Sequence, residues 1–573
     1  MTKNAIFSLN NIIMSAYPED KDLFRTLSDE NNLMLTFVDK KLVSEFEDIK
    51  SGKPITYDPQ STPTLEDAVL CSNTGSFGQS FWEFFRLYRQ NSADDSLLKS
   101  AITNLLMLKG YDVVLDHFSS ILKEKMNADP EIMNMLASAY FLTQEHYEEA
   151  LPLYEMLKEV YPDSVMVFYR LALCYERLYQ DKYLDKQLEY AKKAYEISDD
   201  ENIPHELLAK YYYRSGNKKE CLKCFDHILK NEPSPENKVA YGRFLMKEGF
   251  ISEGFRAYLS RFDTGKVAYP VLLTADKRWN GKSDLSSSVV IVHYEQGFGD
   301  SVMFSRYIPK ISRLAKKVIF VVQKNLIPVF KSSGFDKYCE ILSHEADVNL
   351  NITLEDTNKS VMYSKGQGMG KIPHDYHIPL LDTPYLFEEA PDKMEEAEGY
   401  LKTDPKKVQE FREKYINKND KIKVGLAYHG TKDSLLTYRD ISVKKFLPLL
   451  KMDNVEFYSF QSDEYAQELQ ELDKSVKITD LGKVFKNFED TACAMDCMDL
   501  IISTDNVVMN LAGALGVRTY ALFNKFTESR WYSVDGDDIG WYKSVKPFHA
   551  KTFNDWDNLL TEVKTEMVKE FNL

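Results

Sequence analysis

The sequence predicts a helical repeat array followed by a parallel α/β region, and three observations carry that expectation. Leu136-Ala137-Ser138-Ala139-Tyr140 returns 35 residues on as Leu171-Ala172-Leu173-Cys174-Tyr175, and 37 residues later as Leu208-Ala209-Lys210-Tyr211-Tyr212. From residue 285 onward, short β-branched or apolar runs alternate with helical stretches, the pattern of a parallel sheet. The run Val289-Val290-Ile291-Val292 closes on Gln296-Gly297-Phe298-Gly299-Asp300, after which a helical pattern starts. A chain of 573 residues is too long for one core.

Residues 1–95 hold helix-like pieces, "DLFRTLS" and "SFWEFFRLYRQ", around a loop rich in Pro, Ser and Thr, and are expected to form an N-terminal helical segment. The repeat region spans 96–262. Its period is near 34, small residues sit where helices cross, and Pro130, Pro162 and Pro233 each follow an amphipathic helix. This pattern resembles the tetratricopeptide (TPR) repeat, which implies a concave surface for a peptide or protein. Cys221 and Cys224 form a C-x-x-C inside a helical pattern with no second ligand pair, so they read as ordinary helix positions. A linker, 263–284, leads to two α/β domains, 285–400 and 401–573, joined near the polar helical segment 404–421.

Net charge is −16 and the isoelectric point about 5.3, which disfavours nucleic acid and anionic membrane as partners. Seven Cys make no disulfide framework. No apolar run approaches the ~20 residues of a membrane span, and the N-terminus shows no signal peptide, so membrane insertion is not expected and the cytoplasm is the expected location. No metal is expected: His374 and His377 lack partners at zinc spacing, and Asp535-Gly536-Asp537 reads as an acidic turn.

The turn at 296–300 is neither G-x-G-x-x-G nor a P-loop. Its glycines allow a ligand close to the backbone, and ligands of parallel sheets bind at the carboxyl ends of strands. Asp300 reads either as the cap of the helix that follows or as a carboxylate facing the crevice.

An ordered series of motifs covers about 236–550. Trp279 and Gly281 precede the first strand; Glu295, Gln296, Gly297, Gly299 and Asp300 follow it; then come Arg306, Tyr307 and Pro309. Asp375-Tyr376-His377-Ile378-Pro379, Val424-Gly425-Leu426-Ala427-Tyr428-His429-Gly430, Arg439-Asp440-Ile441-Ser442, Ser503-Thr504-Asp505 and Leu511-Ala512-Gly513-Ala514-Leu515-Gly516 come in order. Together they resemble bacterial TPR-containing glycosyltransferases, related to glycosyltransferase family 9, the heptosyltransferases.

The resemblance implies a GT-B fold, in which two Rossmann-like domains face each other across a cleft. The second domain would hold a nucleotide-sugar donor. Transfer would be inverting and need neither metal nor other cofactor. Asp300 stands where the family carries its catalytic aspartate, with Glu295 in reserve. Gly297, Gly299, Tyr428, His429, Arg439, Gln461, Asp505, Asn506, Val507, Asn510 and Arg530 are the donor-side candidates. Among these, Arg439 and the helix start at 505–507 would hold the leaving diphosphate. Structural alternatives remain open for each: a surface cation for Arg439, loop positions for Tyr428 and His429, a structural corner for Arg530 and Trp531. The chain departs from the pattern at Asn510, where the family has His, and at Asn506, where it usually has Thr.

The reading that follows is transfer of a sugar to a Ser or Thr hydroxyl of a protein held by the TPR region, with flagellin or a surface adhesin as acceptor by family analogy. The alternatives are a catalytically degenerate scaffold or partner subunit, and an enzyme acting on a glycan.

Overall fold

The computed structural model describes residues 64–73, 76–178, 181–198, 202–264, 277–343, 373–388, 399–430, 439–525, 527–531 and 540–573. The helix-like piece at 22–28, most of the loop at 51–67, and Asp535 and Asp537 lie outside them. The chain divides into two compact units, Met1–Tyr211 and Tyr212–Leu573, so the division falls inside the 96–262 repeat region.

In the first unit, α1 (Leu65–Asn73), α2 (Phe77–Gln90) and α3 (Asp95–Met107) come first. Tyr111–Val113 passes through a π-helical turn, Val114–Phe118, into α4 (Ser119–Lys125). Then come α5 (Pro130–Leu142), α6 (Tyr147–Val160), α7 (Val165–Arg177), α8 (Leu184–Ile197) and α9 (Asn202–Arg214), in which the unit boundary lies. Helix starts are written locally. Asp129 accepts from the N–H of Glu131, and Pro130 occupies the first turn of α5, where its missing N–H has no partner to lose. Ser164 caps α7 through the Val167 N–H. Ala137 and Ala172, equivalent in the repeat, are fully buried, as close helix crossings require.

The second unit opens with α10 (Lys218–Asn231), α11 (Pro235–Lys247) and α12 (Ile251–Tyr258). Gly242 and Gly254 set the α11–α12 crossing: a Cβ on Gly242 would stand 2.6 Å from the Gly254 carbonyl oxygen. Cys221 and Cys224 are buried helix positions whose thiols burial pushes up to about 12 and about 11.

Next comes a four-stranded sheet from β1 (Val289–His293), β2 (Lys317–Val321), β3 (Glu340–Leu342) and β4 (Tyr376–Pro379), all parallel, in the order β3-β2-β1-β4. Its helices are α13 (Phe298–Phe304), α14 (Ile308–Leu314), α15 (Ile327–Ser332) and α16 (Thr383–Leu386). Helix α17 (Pro405–Tyr415) leads into β5 (Ile422–Ala427), α18 (Leu447–Leu450), β6 (Val455–Ser459), β7 (Ile478–Asp480), α19 (Phe488–Met495), β8 (Leu500–Thr504), α20 (Val507–Leu515), β9 (Thr519–Phe523), β10 (Val545–His549) and α21 (Trp556–Phe571). The second sheet is also parallel and runs β10-β9-β8-β5-β6-β7. Read within its domain, that is the doubly wound order 3-2-1-4-5-6. Its central strands β8 and β9 are buried along their whole length, hence their unbroken apolar character. The fold is a helical region followed by two parallel-sheet α/β domains.

Strand order reverses between β1 and β4 in the first sheet and between β5 and β8 in the second. Crevices open at such switch points, outside the carboxyl ends of the strands. The two crevices are brought together by α13 and α20, which pack against each other. Arg306 fastens the same junction from below. Its guanidinium donates to the Trp541 carbonyl at 3.0 Å and lies 4.8–5.5 Å from the rings of Tyr400, Tyr542 and Trp541.

One core runs from α12 through the first sheet, with Phe255, Tyr258, Val290, Phe304 and Trp541 among its members. The α11–α12 hairpin is therefore built into the α/β unit. Its lock is a buried ion cluster. Arg261 donates to Glu295 at 2.8 and 2.7 Å and to Asp382 at 2.8 Å, and Arg278 closes on Asp382 at 2.6 and 2.8 Å. Burial opposes the Asp382 charge, yet the two guanidiniums hold its carboxyl below the ordinary range.

Removing one partner of such a cluster leaves an uncompensated buried charge. Arg261→Met is expected to cost the Tyr212–Leu573 unit about 3–5 kcal/mol. Lys546→Ala, which breaks the half-exposed Lys546–Glu566 pair, should cost about 0–1 kcal/mol. Urea-unfolding midpoints of the two variants check this; equal midpoints would show the cluster to be dispensable.

Candidate functional site

The glycine turn is held from two sides. Gln323 donates to the Gln296 carbonyl at 3.0 Å, and Gln296 donates from its amide to the Tyr258 hydroxyl at 3.2 Å. Gly297 occupies the N-cap of α13, with no side-chain cap. Asp300 lies within the first turn, so the helix-cap alternative is not what the structure builds. Its carboxylate instead accepts from Arg530 of the second domain. Asp300 is 9% exposed, and the Arg530 side chain retains 21% of its surface.

Glu295 has a different job from the one the resemblance offered. Both its oxygens are taken by Arg261, and one also accepts from the Leu381 N–H at 3.2 Å. It fixes the turn, and its charge also acts on Arg530.

At the second switch point, Asp505 follows β8 and meets Arg439 at 3.3 Å. Burial pushes the Asp505 carboxyl up; Arg439 and the Trp531 indole, which hydrogen-bonds it, pull the other way, while Glu528 adds to the rise. Asn506 caps α20 with its own side chain, accepting from the Val508 and Met509 N–H groups at 2.8 and 3.3 Å. The engaged N–H groups lie just beyond the 505–507 stretch expected to hold a diphosphate, and Val507 follows the cap with its N–H at the first helical position. Asn510 is buried and satisfied: its amide donates to the Asn506 carbonyl and accepts from the Tyr542 hydroxyl at 3.1 Å. Across the domain junction it touches Gly299, where a Cβ would stand 2.9 Å from the Asn510 amide nitrogen.

Tyr428, His429 and Gln461 are tied into the frame of the second crevice. Tyr428 is fully buried in the core on the α21 side of the second sheet. Gln461 accepts from the Tyr428 and His429 N–H groups at 3.2 and 3.1 Å and donates to the His429 carbonyl at 3.3 Å, tying β5 to β6. His429 stacks on Tyr465 at 4.0 Å; its Nε2 lies 2.7 Å from Glu468 and its Nδ1 3.6 Å from Asp440. Burial would lower its pKa, but the two carboxylates outweigh burial and raise it.

His377 faces His293, with ring nitrogens 3.3 Å apart, and burial lowers His293 well below the ordinary imidazole range. No group of three or more His, Cys, Asp or Glu side chains gathers as a metal site among the described residues. No described helix is long and apolar enough to cross a membrane.

The structure adds residues that the sequence reading placed in the repeats. Lys247, at the end of α11, donates to the Trp531 carbonyl at 3.0 Å and to Thr527. Burial pushes its ammonium down to about 8 against the pull of Glu248, Glu528 and Asp505. Arg243, one turn earlier on α11, lies 5.8 Å from the Tyr258 ring and is exposed. A legible signal existed in the i, i+4 basic pair beside Gly242, but nothing local says that this helix reaches a distant domain.

The tetratricopeptide repeat family profile matches residues 135–164. Protein FlbA of Caulobacter vibrioides is 24% identical over 358 residues, 59% of this chain and 56% of FlbA, so the likeness spans little more than half of that relative. Among solved structures, the Escherichia coli ADP-heptose heptosyltransferase II aligns with 49% of this chain and 99% of its own, at 11% identity and a TM-score of 0.33. A mutant of the Thermobaculum terrenum O-GlcNAc transferase aligns with 75% of this chain and 89% of its own, at 10% identity and a TM-score of 0.25.

Two outcomes test this geometry. Gly299→Ala should cost about 1–3 kcal/mol by overpacking against Asn510, and Asn510→Ala in the same chain should recover most of it; additive losses would mean that the two do not touch. The His429 clamp has the opposite dependence from a carboxylate. Its raised pKa gives stability that is fully present below about pH 6.5 and is lost as pH rises through the raised value. The melting-temperature gap between wild type and His429→Gln should therefore shrink above pH 6.5, and a gap constant with pH would remove the clamp's charge from the account.

Proposed function

We propose that the chain is a glycosyltransferase that moves a sugar from a nucleotide-sugar donor to a Ser or Thr hydroxyl of a protein acceptor. The observation that carries the reading is the meeting of two switch points at a carboxylate and a guanidinium, Asp300 from the first domain and Arg530 from the second. The motif series around them supports it.

In this reading the acceptor oxygen attacks the anomeric carbon of the donor. The bond from that carbon to the diphosphate oxygen breaks, and its electron pair leaves with the diphosphate. Asp300 takes the hydroxyl proton, so one displacement inverts the configuration. Arg439 and Arg530 are the cations nearest the departing charge. The reaction as proposed uses no metal, takes place in the cytoplasm, and draws its acceptor through the TPR surface; flagellin or a surface adhesin is the acceptor class proposed. The self-capped start of α20 favours one second reading, a scaffold that retains the fold without turnover.

Asp300→Asn separates the two. Calorimetric titration with UDP, GDP, ADP and CDP should find one that binds wild type and still binds the variant. Transfer by the variant should fall about 10²–10⁴-fold. Binding without any wild-type transfer to candidate acceptors would favour the scaffold.

A further inference from the structure

The α11–α12 hairpin precedes the α/β domains in sequence, yet it lines their cleft. Three contacts fix its position. Lys247 is tied to the Trp531 carbonyl, Arg261 to Glu295 and Asp382, and Tyr258 to Gln296 of the glycine turn. The Gly242–Gly254 crossing leaves α11 no room to turn about its axis. Arg243 lies four residues before Lys247, on the same helical face, and is thereby placed along the 527–531 segment that carries Arg530.

Arg243 hydrogen-bonds Tyr258 and lies within electrostatic reach of Glu528 and Arg530. Burial lowers the Arg530 guanidinium; Tyr258 opposes this, and Arg243 adds to the lowering. Two guanidiniums thus share one crevice. The described charged groups there are Arg243, Lys247, Arg439 and Arg530 against Glu248, Asp300, Asp505 and Glu528, and Glu295 also acts on Arg530. The alternative anion holder, the start of α20, has its Val508 and Met509 N–H groups engaged by Asn506.

We propose that Arg243, contributed by the helical hairpin, is a phosphate-binding residue that forms with Arg530 a two-guanidinium cradle for the diphosphate of a nucleoside diphosphate or its sugar. The inference rests on the proposed donor site and adds to it a ligand from outside the α/β domains. Planar guanidiniums suit bidentate phosphate contact. Arg530 is then shared: with the cleft empty it holds Asp300, and with a diphosphate bound it turns to the phosphate oxygens. Donor binding and release of the base are one event.

The test is calorimetric titration of the full chain with UDP, GDP, ADP, CDP and inorganic pyrophosphate. Wild type is expected to bind one nucleoside diphosphate. Arg243→Gln should weaken that binding about 10- to 100-fold, with Arg243→Lys intermediate. Asp300→Asn, which removes the competitor for Arg530, should tighten it. Arg243 is exposed, so an unchanged melting temperature of Arg243→Gln verifies the fold. Equal affinity of wild type and Arg243→Gln would overturn the cradle while leaving the donor site standing. Unchanged nucleotide affinity with a raised KM for the acceptor would overturn it too, moving Arg243 to the acceptor side. Binding of none of the five probes by wild type would overturn both the donor site and the cradle.

Discussion

The buried cluster of Arg261, Glu295, Asp382 and Arg278 is the constraint on which the rest of the cleft depends. It joins four pieces of chain: the Leu259–Thr264 turn that ends the hairpin, the segment of Arg278 before β1, Glu295 two residues past β1, and the short helical turn after β4. Two cations and two anions neutralise each other there, and the backbone N–H of Leu381 and carbonyl of Tyr258 fill further positions. An apolar replacement of the whole set can be as stable or more so, so stability alone does not explain the cluster. What it supplies is direction: each guanidinium fork donates to its carboxylates in one geometry. The glycine turn and the hairpin are held at a fixed angle to each other.

From that fixed turn the site is built outward. Asp300 sits one helical turn beyond Gly297, and its reach is set by how near α13 can come to α20. Gly299 makes that approach close, because a side chain there meets Asn510. Gly513 does the same on the other side of α20, where a Cβ would stand 2.5 Å from the Tyr542 ring. The helix is confined between a glycine of the first domain and a tyrosine of its own. Arg306, enclosed by aromatic rings from the second domain and the connecting segment, keeps the two sheets from separating at that point.

Much of this was legible in the sequence, and the part that was not has a common cause. Repeats, strand-then-helix alternation and glycine turns are local patterns, and local patterns survive in one dimension. The strands "VVIVH", "LIIST" and "TYALF" lie where their apolar runs end in turns. Motif order singles out Asp300, Arg439, Asp505 and Arg530, and the structure pairs Asp300 with Arg530 and Arg439 with Asp505. Motif order misdirects where a motif residue serves the frame. Glu295 sits in the same turn as Asp300, but its carboxylate is taken up by Arg261. Tyr428 and His429 are adjacent, yet alternation along an extended chain sends one into the core and the other to a carboxylate clamp. Arg243 and Lys247 were invisible because their helix carries a repeat-like pattern, and no pattern within α11 reports that it packs on a segment 280 residues away.

The charge arrangement of the cleft bears on whether the site is used. Asp300 is paired with Arg530, and Asp505 with Arg439. Each pairing answers the penalty for placing a carboxylate where water is scarce. A protein that kept this fold only as a scaffold would gain by losing such charges, since well-packed apolar side chains of similar volume are often the more stable solution. Here the pairs persist, partly open to solvent, at the one place where both switch points meet. An anion entering the cleft does not create new buried charge; it exchanges one carboxylate for another oxyanion at the same guanidinium. That exchange needs little reorganisation of the frame, because the ion cluster and the Gly299–Asn510 contact that position the groups are elsewhere. The structure thus holds these two cations neutralised and in place, Arg530 by Asp300 and Arg439 by Asp505.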